Sequence, residues 1–190
     1  MSRFLTHLKR LLDPEEPVHR FLERAEEVGS KLGPILIQLP PALEADLDRL
    51  DRTLRLFPAG VRVAVEVRHA SWYSDGLRRL LERHDAALCW ADRGRPLDPT
   101  WRTAAWGFVR FHEGRAHPRP CYGRRALATW AERLAGAFQP DEDVFAYFNN
   151  DHRCCAVRDA VVLARLAAKA GLRPTRVPAP DSVAVSGQAS

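Results

Sequence analysis

Five short apolar segments, separated by stretches with helical periodicity, constrain the fold of this chain more than any other feature of its sequence. Most are nearly continuous apolar runs, which are typical of strands covered on both faces. Strands that alternate with helices form parallel sheets with the helices packed outside. The predicted strands cover residues 35–39, 62–68, 86–92, 106–112 and 143–149.

Apolar residues recur at helical spacing around these strands and predict five helices. The exception is the segment between Asp92 and Trp106, which holds two prolines and allows at most a short helix. The predicted domain covers residues 1–172, and residues 173–190 are expected to form a disordered tail. The helical stripes cover residues 18–32, 43–54, 77–84, 127–138 and 157–172.

Composition narrows the class of protein. The chain has 190 residues, of which 46% are hydrophobic, enough for one domain with a sizeable core. No apolar run reaches about 18 residues and the N-terminus has no export signal, so we expect no membrane span and a cytoplasmic location. None of the cysteines has CxxC spacing, which predicts reduced intracellular thiols at Cys89, Cys121, Cys154 and Cys155.

The net charge of +5 raises the question of a nucleic-acid partner. The arginines are spread along the chain and mixed with acidic residues, and no block of five basic residues occurs. We interpret the charge as a compositional bias, which argues against a nucleic-acid partner.

Each predicted strand carries a polar residue near its C-terminal end. Strand side chains alternate between faces, and the valines at 63, 65 and 67 suit a helix layer, so Glu66 and Arg68 should point the other way. Helices on both faces of an open sheet would make this polar layer costly. A parallel barrel instead gathers the strand ends around one mouth, so the pattern favours a TIM (β/α)8-barrel-like fold. Salt bridges that only seal the barrel are the structural alternative.

The arginines at this mouth suit a small anionic substrate. A carboxylate could act as general base and a histidine as general acid, and a glycosidase-like carboxylate pair is also open. Nearby arginines would repel a cation and the spacing is not that of a metal motif, so no metal is predicted, while the sequence leaves any cofactor unknown. The catalytic candidates are Glu66, Asp92 and His112; the substrate-binding candidates are Gln38, Arg68, His69, Trp72, Arg110, Tyr147, Asn149 and Asn150.

Five motifs together resemble the YecE-like family, the domain of unknown function 72. They are GPILIQLPP (33–41), VAVEVRHASWY (63–73), LCWAD (88–92), GFVRFH (107–112) and YFNND (147–151), and residues 2–17 also look like that family. The resemblance covers about residues 2–170. It implies a TIM-barrel fold and no established activity.

The family's first three strands have no counterpart in this sequence, so we expect a partial barrel with the last five strands and their helices. Either the reading frame extends upstream of Met1, or the chain is a true truncation. The missing strands would then come from upstream sequence or from a partner chain. Three functions stay open: a broadly hydrolase-like enzyme for a small anion, a non-catalytic nucleic-acid or protein binding module, and an inactive truncated fragment.

Overall fold

The computed structural model of the chain describes residues 1–94 and 97–175. Most of the predicted disordered tail lies outside the described residues. The chain forms two compact units. Unit 1 comprises Met1–Cys89 and Pro99–Ala105, and unit 2 comprises Trp90–Asp98 and the chain from Trp106 onward.

The five predicted strands are confirmed, and each is slightly shorter than expected. They form one five-stranded sheet in the order β1-β2-β3-β4-β5. This order follows the chain without reversal, as in part of a barrel, whereas doubly wound sheets reverse their strand order at a switch point. The fold is therefore α/β with sequential strands, and the complete barrel stays a prediction. The strands are β1 (Ile35–Gln38), β2 (Val63–Glu66), β3 (Ala87–Asp92), β4 (Gly107–Phe111) and β5 (Val144–Phe148).

The five predicted helices are also confirmed, with shifts of a few residues at their ends. Side-chain caps explain two of the starts. Asp46 accepts a hydrogen bond from the backbone N–H of Arg49, and Ser74 accepts one from that of Leu77. Within the described residues, no helix combines the length and apolarity needed to cross a membrane. The helices are α1 (Glu15–Glu26), α2 (Leu47–Leu54), α3 (Asp75–Arg83), α4 (Arg124–Ala137) and α5 (Cys155–Lys169).

In unit 1, β1 and β2 pair in parallel from Ile35 opposite Val63 to Gln38 opposite Glu66. β2 pairs in parallel with β3. The whole of β2 is buried, which fits the continuous apolar run in its sequence. The register places the polar C-terminal residues of β1 and β2 side by side.

Helices α2 and α3 are joined by a carboxylate–imidazole contact. The Asp51 carboxylate accepts hydrogen bonds from His84 Nε2 at 2.7 Å and from Arg55 Nε at 2.8 Å. The bond from His84, followed by the bond from Arg55, lowers the pKa of Asp51 below its ordinary value. A carboxyl group with a lowered folded-state pKa stabilises the fold above its unfolded pKa of about 3.9, and that contribution is lost as the pH falls through the folded value.

We therefore expect Asp51→Asn to lower the free energy of unfolding by about 1 kcal/mol at pH 7. The difference from the parent should shrink as the pH is lowered below about 4. Urea unfolding at pH 7 and at several acidic pH values measures it. Asp48→Asn, an exposed change on the same helix, is the control and should have a smaller effect. A difference for Asp51→Asn that stays constant across this pH range would contradict the assignment.

In unit 2, β4 and β5 pair in parallel over five residues, from Gly107 opposite Val144 to Phe111 opposite Phe148. The Phe111 ring stacks on Phe148 at 4.4 Å between ring centroids and meets Trp130 of α4 edge-on at 5.2 Å. This aromatic cluster fastens α4 to the sheet.

The prediction of four reduced thiols is wrong for two of them. Cys121, before α4, and Cys155, the first residue of α5, form a disulfide, and both are fully buried. Their separation of 34 residues gave no local spacing signal, because the loops after β4 and β5 bring them together only in the folded chain. Cys89 and Cys154 keep their thiols.

Candidate functional site

The most deeply buried charged group of the predicted set is the carboxylate of Glu66, at the end of β2. Its exposed fraction is 0%. Arg68 Nε donates to Glu66 Oε1 at 3.1 Å, and the Cys89 thiol lies 4.0 Å from Oε2. A buried carboxylate needs such partners because an unpaired charge in the interior is very costly.

Arg68 connects this buried carboxylate to solvent. Its side chain is 28% exposed, while that of Glu66 is fully buried. Gln38 of β1 is half-buried and lies opposite Glu66 in the strand register. The structure thus brings together three of the predicted residues, namely Gln38, Glu66 and Arg68, at the C-terminal ends of two neighbouring strands.

His7 belongs to this part of unit 1 and is absent from the sequence-based set. It lies in a π-helical turn, Phe4–Leu8, and its Nδ1 is 2.8 Å from Thr6 Oγ1. Burial lowers the pKa of His7, and the positive charges of Arg3 and Arg68 lower it further. The imidazole is therefore neutral at pH 7 and able to accept a proton. His7 precedes the first strand in the sequence by more than one helix, and no sequence pattern indicated that it would lie near Arg68.

His69 and Trp72 follow β2 and fix the loop that leaves it. His69 Nδ1 accepts a hydrogen bond from the Ser71 backbone N–H at 3.3 Å and lies 2.8 Å from Ser71 Oγ. Trp72 is fully buried, and its indole N–H donates to the Leu43 carbonyl at 2.8 Å. Both side chains hold loops together in this structure, and their predicted contact with a substrate stays a prediction.

Asp92, a predicted catalytic residue, contacts helix α4. Its carboxylate accepts hydrogen bonds from the Trp130 indole N–H at 2.8 Å and from the Gly94 backbone N–H at 3.2 Å. Trp90, two residues earlier on the same face, packs against Phe138 at the end of α4, with ring centroids 5.5 Å apart. Asp92 therefore points toward α4. The physical reason is size, since the bulky Trp90 needs the helix layer.

Tyr122 and His112 both lie close to the backbone carbonyl of Asp92. The Tyr122 hydroxyl lies 3.5 Å from the Asp92 carbonyl oxygen. Burial raises the pKa of Tyr122 above its usual range, and the charge of Asp92 raises it further. The Tyr122 phenol is therefore neutral at any physiological pH. His112 is half-buried, and its backbone N–H donates to the Asp92 carbonyl at 2.8 Å.

Arg110 and Asn149 meet on neighbouring strands of unit 2, as the alternation predicts. Arg110 Nε donates to Asn149 Oδ1 at 3.1 Å. Tyr147 lies opposite Arg110 in the register, stacks on Phe108 at 5.0 Å and is 43% exposed. These groups form a second polar cluster at the ends of β4 and β5.

Asn150 lies in a buried polar network that the sequence interpretation missed. Its amide donates to Asp159 Oδ2 at 2.8 Å and to the Pro120 carbonyl at 3.1 Å, while its Oδ1 is buried without a hydrogen-bond partner among the described residues. Asp159, fully buried, also accepts from the Tyr122 backbone N–H at 2.7 Å and from Arg158 at 2.9 Å. The available signal was an acid on the apolar stripe of α5.

The described residues contain no group of three histidine, cysteine, aspartate or glutamate side chains arranged to hold a metal ion. The three predicted catalytic residues also differ in their surroundings: Glu66 pairs with arginine, Asp92 accepts from tryptophan, and the backbone of His112 bonds to that of Asp92.

Comparison with known proteins identifies the family. The chain matches the model of the protein of unknown function DUF72 over residues 1–182 and belongs to that family. A crystal structure of a DUF72 family protein from Thermotoga maritima is similar, with a TM-score of 0.71 and 22% identity over 88% of this chain and 70% of that chain. A DUF72 family protein from Enterococcus faecalis has a TM-score of 0.67 and 19% identity over 87% and 69%. No curated protein matches.

Proposed function

We propose that Glu66 and Arg68 form the centre of an enzyme site for a small anionic substrate, with acid–base chemistry of a broadly hydrolytic kind. The observation that carries the proposal is the pairing of a fully buried carboxylate with an arginine that is 28% exposed at the end of a strand. Active sites of parallel α/β folds lie at the C-terminal ends of their strands. A salt bridge needed only for stability gains nothing from this burial, because desolvation offsets most of its Coulomb energy.

The roles follow from the chemistry of each side chain. Arg68 binds a phosphate or carboxylate group of the substrate through its guanidinium, and Gln38 on the neighbouring strand contributes its amide. Glu66 takes the role of general base, because its carboxylate lies beside Arg68, the residue proposed to bind the anion. Neutral His7 is a second proton acceptor of the same unit.

We also propose the complete barrel as the finer fold of the chain. Within unit 2 taken by itself, Arg110 and Asn149 form a separate anion contact, with Tyr147 opposite Arg110 in the strand register. Asp92 contributes least, since both of its oxygens already accept hydrogen bonds.

Thermal unfolding in the presence of anions tests the site. We expect inorganic phosphate, sulfate or a phosphorylated metabolite to raise the melting temperature of the 190-residue chain by a few degrees, as binding to the folded state requires. Arg68→Ala should abolish this shift. Glu66→Gln should keep this shift, but it should no longer turn over a phosphorylated metabolite that stabilises the parent. The pair Arg78→Ala and Glu82→Gln is the matched control, because these residues form an exposed salt bridge at 2.9 Å in the same unit.

Two outcomes would overturn the proposal. One is a parent protein that none of these anions stabilises. The other is an anion-induced shift that Arg68→Lys and Arg68→Ala both leave intact, which would place the anion elsewhere. Arg68→Lys keeps a positive charge near Glu66 and so guards against loss of the fold as the cause of a lost shift.

A further inference from the structure

The excess of positive charge lies in one of the two units. Unit 1 contains fifteen lysines and arginines and fourteen acidic residues, while unit 2 contains fourteen and ten, out of 29 and 24 in the whole chain. Four of the five net positive charges therefore belong to unit 2. A uniform compositional bias would have divided them more evenly.

Within unit 2 the basic residues concentrate in the loops that follow β4 and β5. Residues 110–125 contain five arginines and two histidines but a single acid, Glu113. Arg153 lies in the loop after β5. We define the basic surface as the exposed side chains of His117, Arg119, Arg124, Arg125 and Arg153.

The disulfide brings these two loops together. The Cα atoms of Cys121 and Cys155 are 4.9 Å apart. Arg119 precedes Cys121 by two residues, Arg124 follows it by three, and Arg153 precedes Cys155 by two. At 3.8 Å between consecutive Cα atoms, each of these arginines has its Cα within about 12 Å of a bridged cysteine. Residues that are distant in sequence thus form one patch.

Three arginines of this patch form no direct ion pair within the protein. In the part of the chain that the structure describes, the side chains of Arg119, Arg124 and Arg153 form no hydrogen bond or salt bridge. Several arginines of unit 1 behave differently. Arg49 and Arg55, for example, each form a salt bridge with an aspartate at 2.8 Å. An array of unpaired arginines repels itself, which favours a function in binding an anion.

The loop that carries His117 and Arg119 is held rigidly. Its backbone closes on itself through hydrogen bonds from Gly114 N to Pro120 O at 2.9 Å and from Ala116 N to Cys121 O at 3.0 Å. A side chain at Gly114 would collide with the Cys121 backbone, so glycine is required there. Asn150 and Asp159 also hold this loop, through hydrogen bonds to the Pro120 carbonyl and from the Tyr122 backbone N–H. Such preorganisation lowers the entropic cost of binding a ligand.

We propose that the basic surface binds the phosphodiester backbone of a nucleic acid. Guanidinium groups pair with phosphate oxygens through two parallel hydrogen bonds, and the charged groups of this surface other than His117 are all arginines. A lipid surface would require exposed apolar side chains in the patch. Residues 114–125 contain none of the large exposed apolar side chains of the described chain, and Val157, four residues after Arg153, is a single exposed valine on α5. This inference uses no residue of the Glu66 site and is independent of it.

Fluorescence anisotropy tests this surface at salt concentrations of roughly 50–300 mM. The labelled probes are a single-stranded RNA and a single-stranded DNA of about 15 nucleotides and a DNA duplex of about 15 base pairs. The full 190-residue chain should bind at least one of them, with affinity falling steeply as salt rises. The triple variant Arg119→Gln, Arg124→Gln, Arg153→Gln should weaken binding by at least tenfold and reduce the slope of log K against log salt by about 2. The matched control is the triple variant Arg24→Gln, Arg52→Gln, Arg79→Gln, which changes three exposed arginines of unit 1. Its affinity should stay within about twofold of that of the parent.

The three nucleic acids distinguish which strand type supplies the phosphates. Three results would overturn the proposal. The first is no binding of any nucleic acid at 50 mM salt. The second is equal weakening by the two triple variants, which would mean that charge spread over the whole chain is responsible. The third is tighter binding of polyglutamate than of all three nucleic acids, which would indicate an acidic polypeptide as the partner. Circular dichroism confirms that each variant is folded.

Discussion

Asp159→Ala is expected to lower the free energy of unfolding by about 3–5 kcal/mol, one of the two largest effects of any single substitution considered. Asp159 is fully buried and accepts hydrogen bonds from the Tyr122 backbone, the Asn150 amide and the Arg158 guanidinium. Removing the carboxylate leaves the Tyr122 backbone N–H without this acceptor and takes one hydrogen bond each from Asn150 and Arg158. An unsatisfied buried donor costs roughly 1–3 kcal/mol. The network also holds the loop after β4, so that loop should loosen first.

Denaturant unfolding, followed by tryptophan fluorescence and circular dichroism, measures this loss. Asp159→Asn keeps one acceptor oxygen and should be milder, which leaves a measurable variant if Asp159→Ala does not fold. Asp151→Ala is the control, because Asp151 is exposed in the same region and should change stability by less than about 0.5 kcal/mol. A loss below about 1 kcal/mol for Asp159→Ala would show that the network does not hold unit 2 together.

Trp72→Ala should cost a similar amount, about 3–5 kcal/mol, because it empties a fully buried ring site. Trp72→Phe retains most of the ring but leaves the Leu43 carbonyl without its hydrogen bond, so we expect an intermediate loss of about 1–3 kcal/mol. Trp101→Ala is the control in the same unit, since Trp101 is half-buried at the edge of Tyr73. Urea unfolding ranks the three variants.

The Trp72→Phe protein also separates packing from ligand contact. If Trp72 only packs, the phosphate-induced rise in melting temperature should be the same in this variant as in the parent. If Trp72 contacts the anion, as predicted from the sequence, phosphate should increase the melting temperature of the variant by less than that of the parent. A Trp72→Ala protein as stable as the parent would contradict the packing role that its burial indicates.

The strands and helices could be predicted because their signals are local. Continuous apolar runs and helical stripes gave all five strands and all five helices, with errors of a few residues at the ends. The alternation of three valines predicts that Glu66 lies on the opposite face of β2, and the structure buries its carboxylate completely. The contact of Asp92 with α4 could not be predicted, because β3 alternates small Cys89 and Ala91 with bulky Trp90 and the sequence alone does not say which set faces a helix.

The rest of the candidate site depends on contacts between loops. The Cys121–Cys155 pair, the Asp159 network and the placement of His7 each join residues that no periodicity connects. Several arginines that are scattered in the sequence also lie on the two loops that the disulfide joins, a grouping that no periodicity indicates. Buried polar residues on apolar stripes, such as Asp159, were the one local signal available.

The bond between Cys121 and Cys155 has a topological consequence for the polypeptide. It closes a covalent ring that contains all of α4 and all of β5. A protease that cuts once inside this ring therefore yields two fragments that stay attached, and only a reductant would separate them. The start of α5 and the loop before α4 therefore stay covalently joined even after the backbone between them has been cleaved.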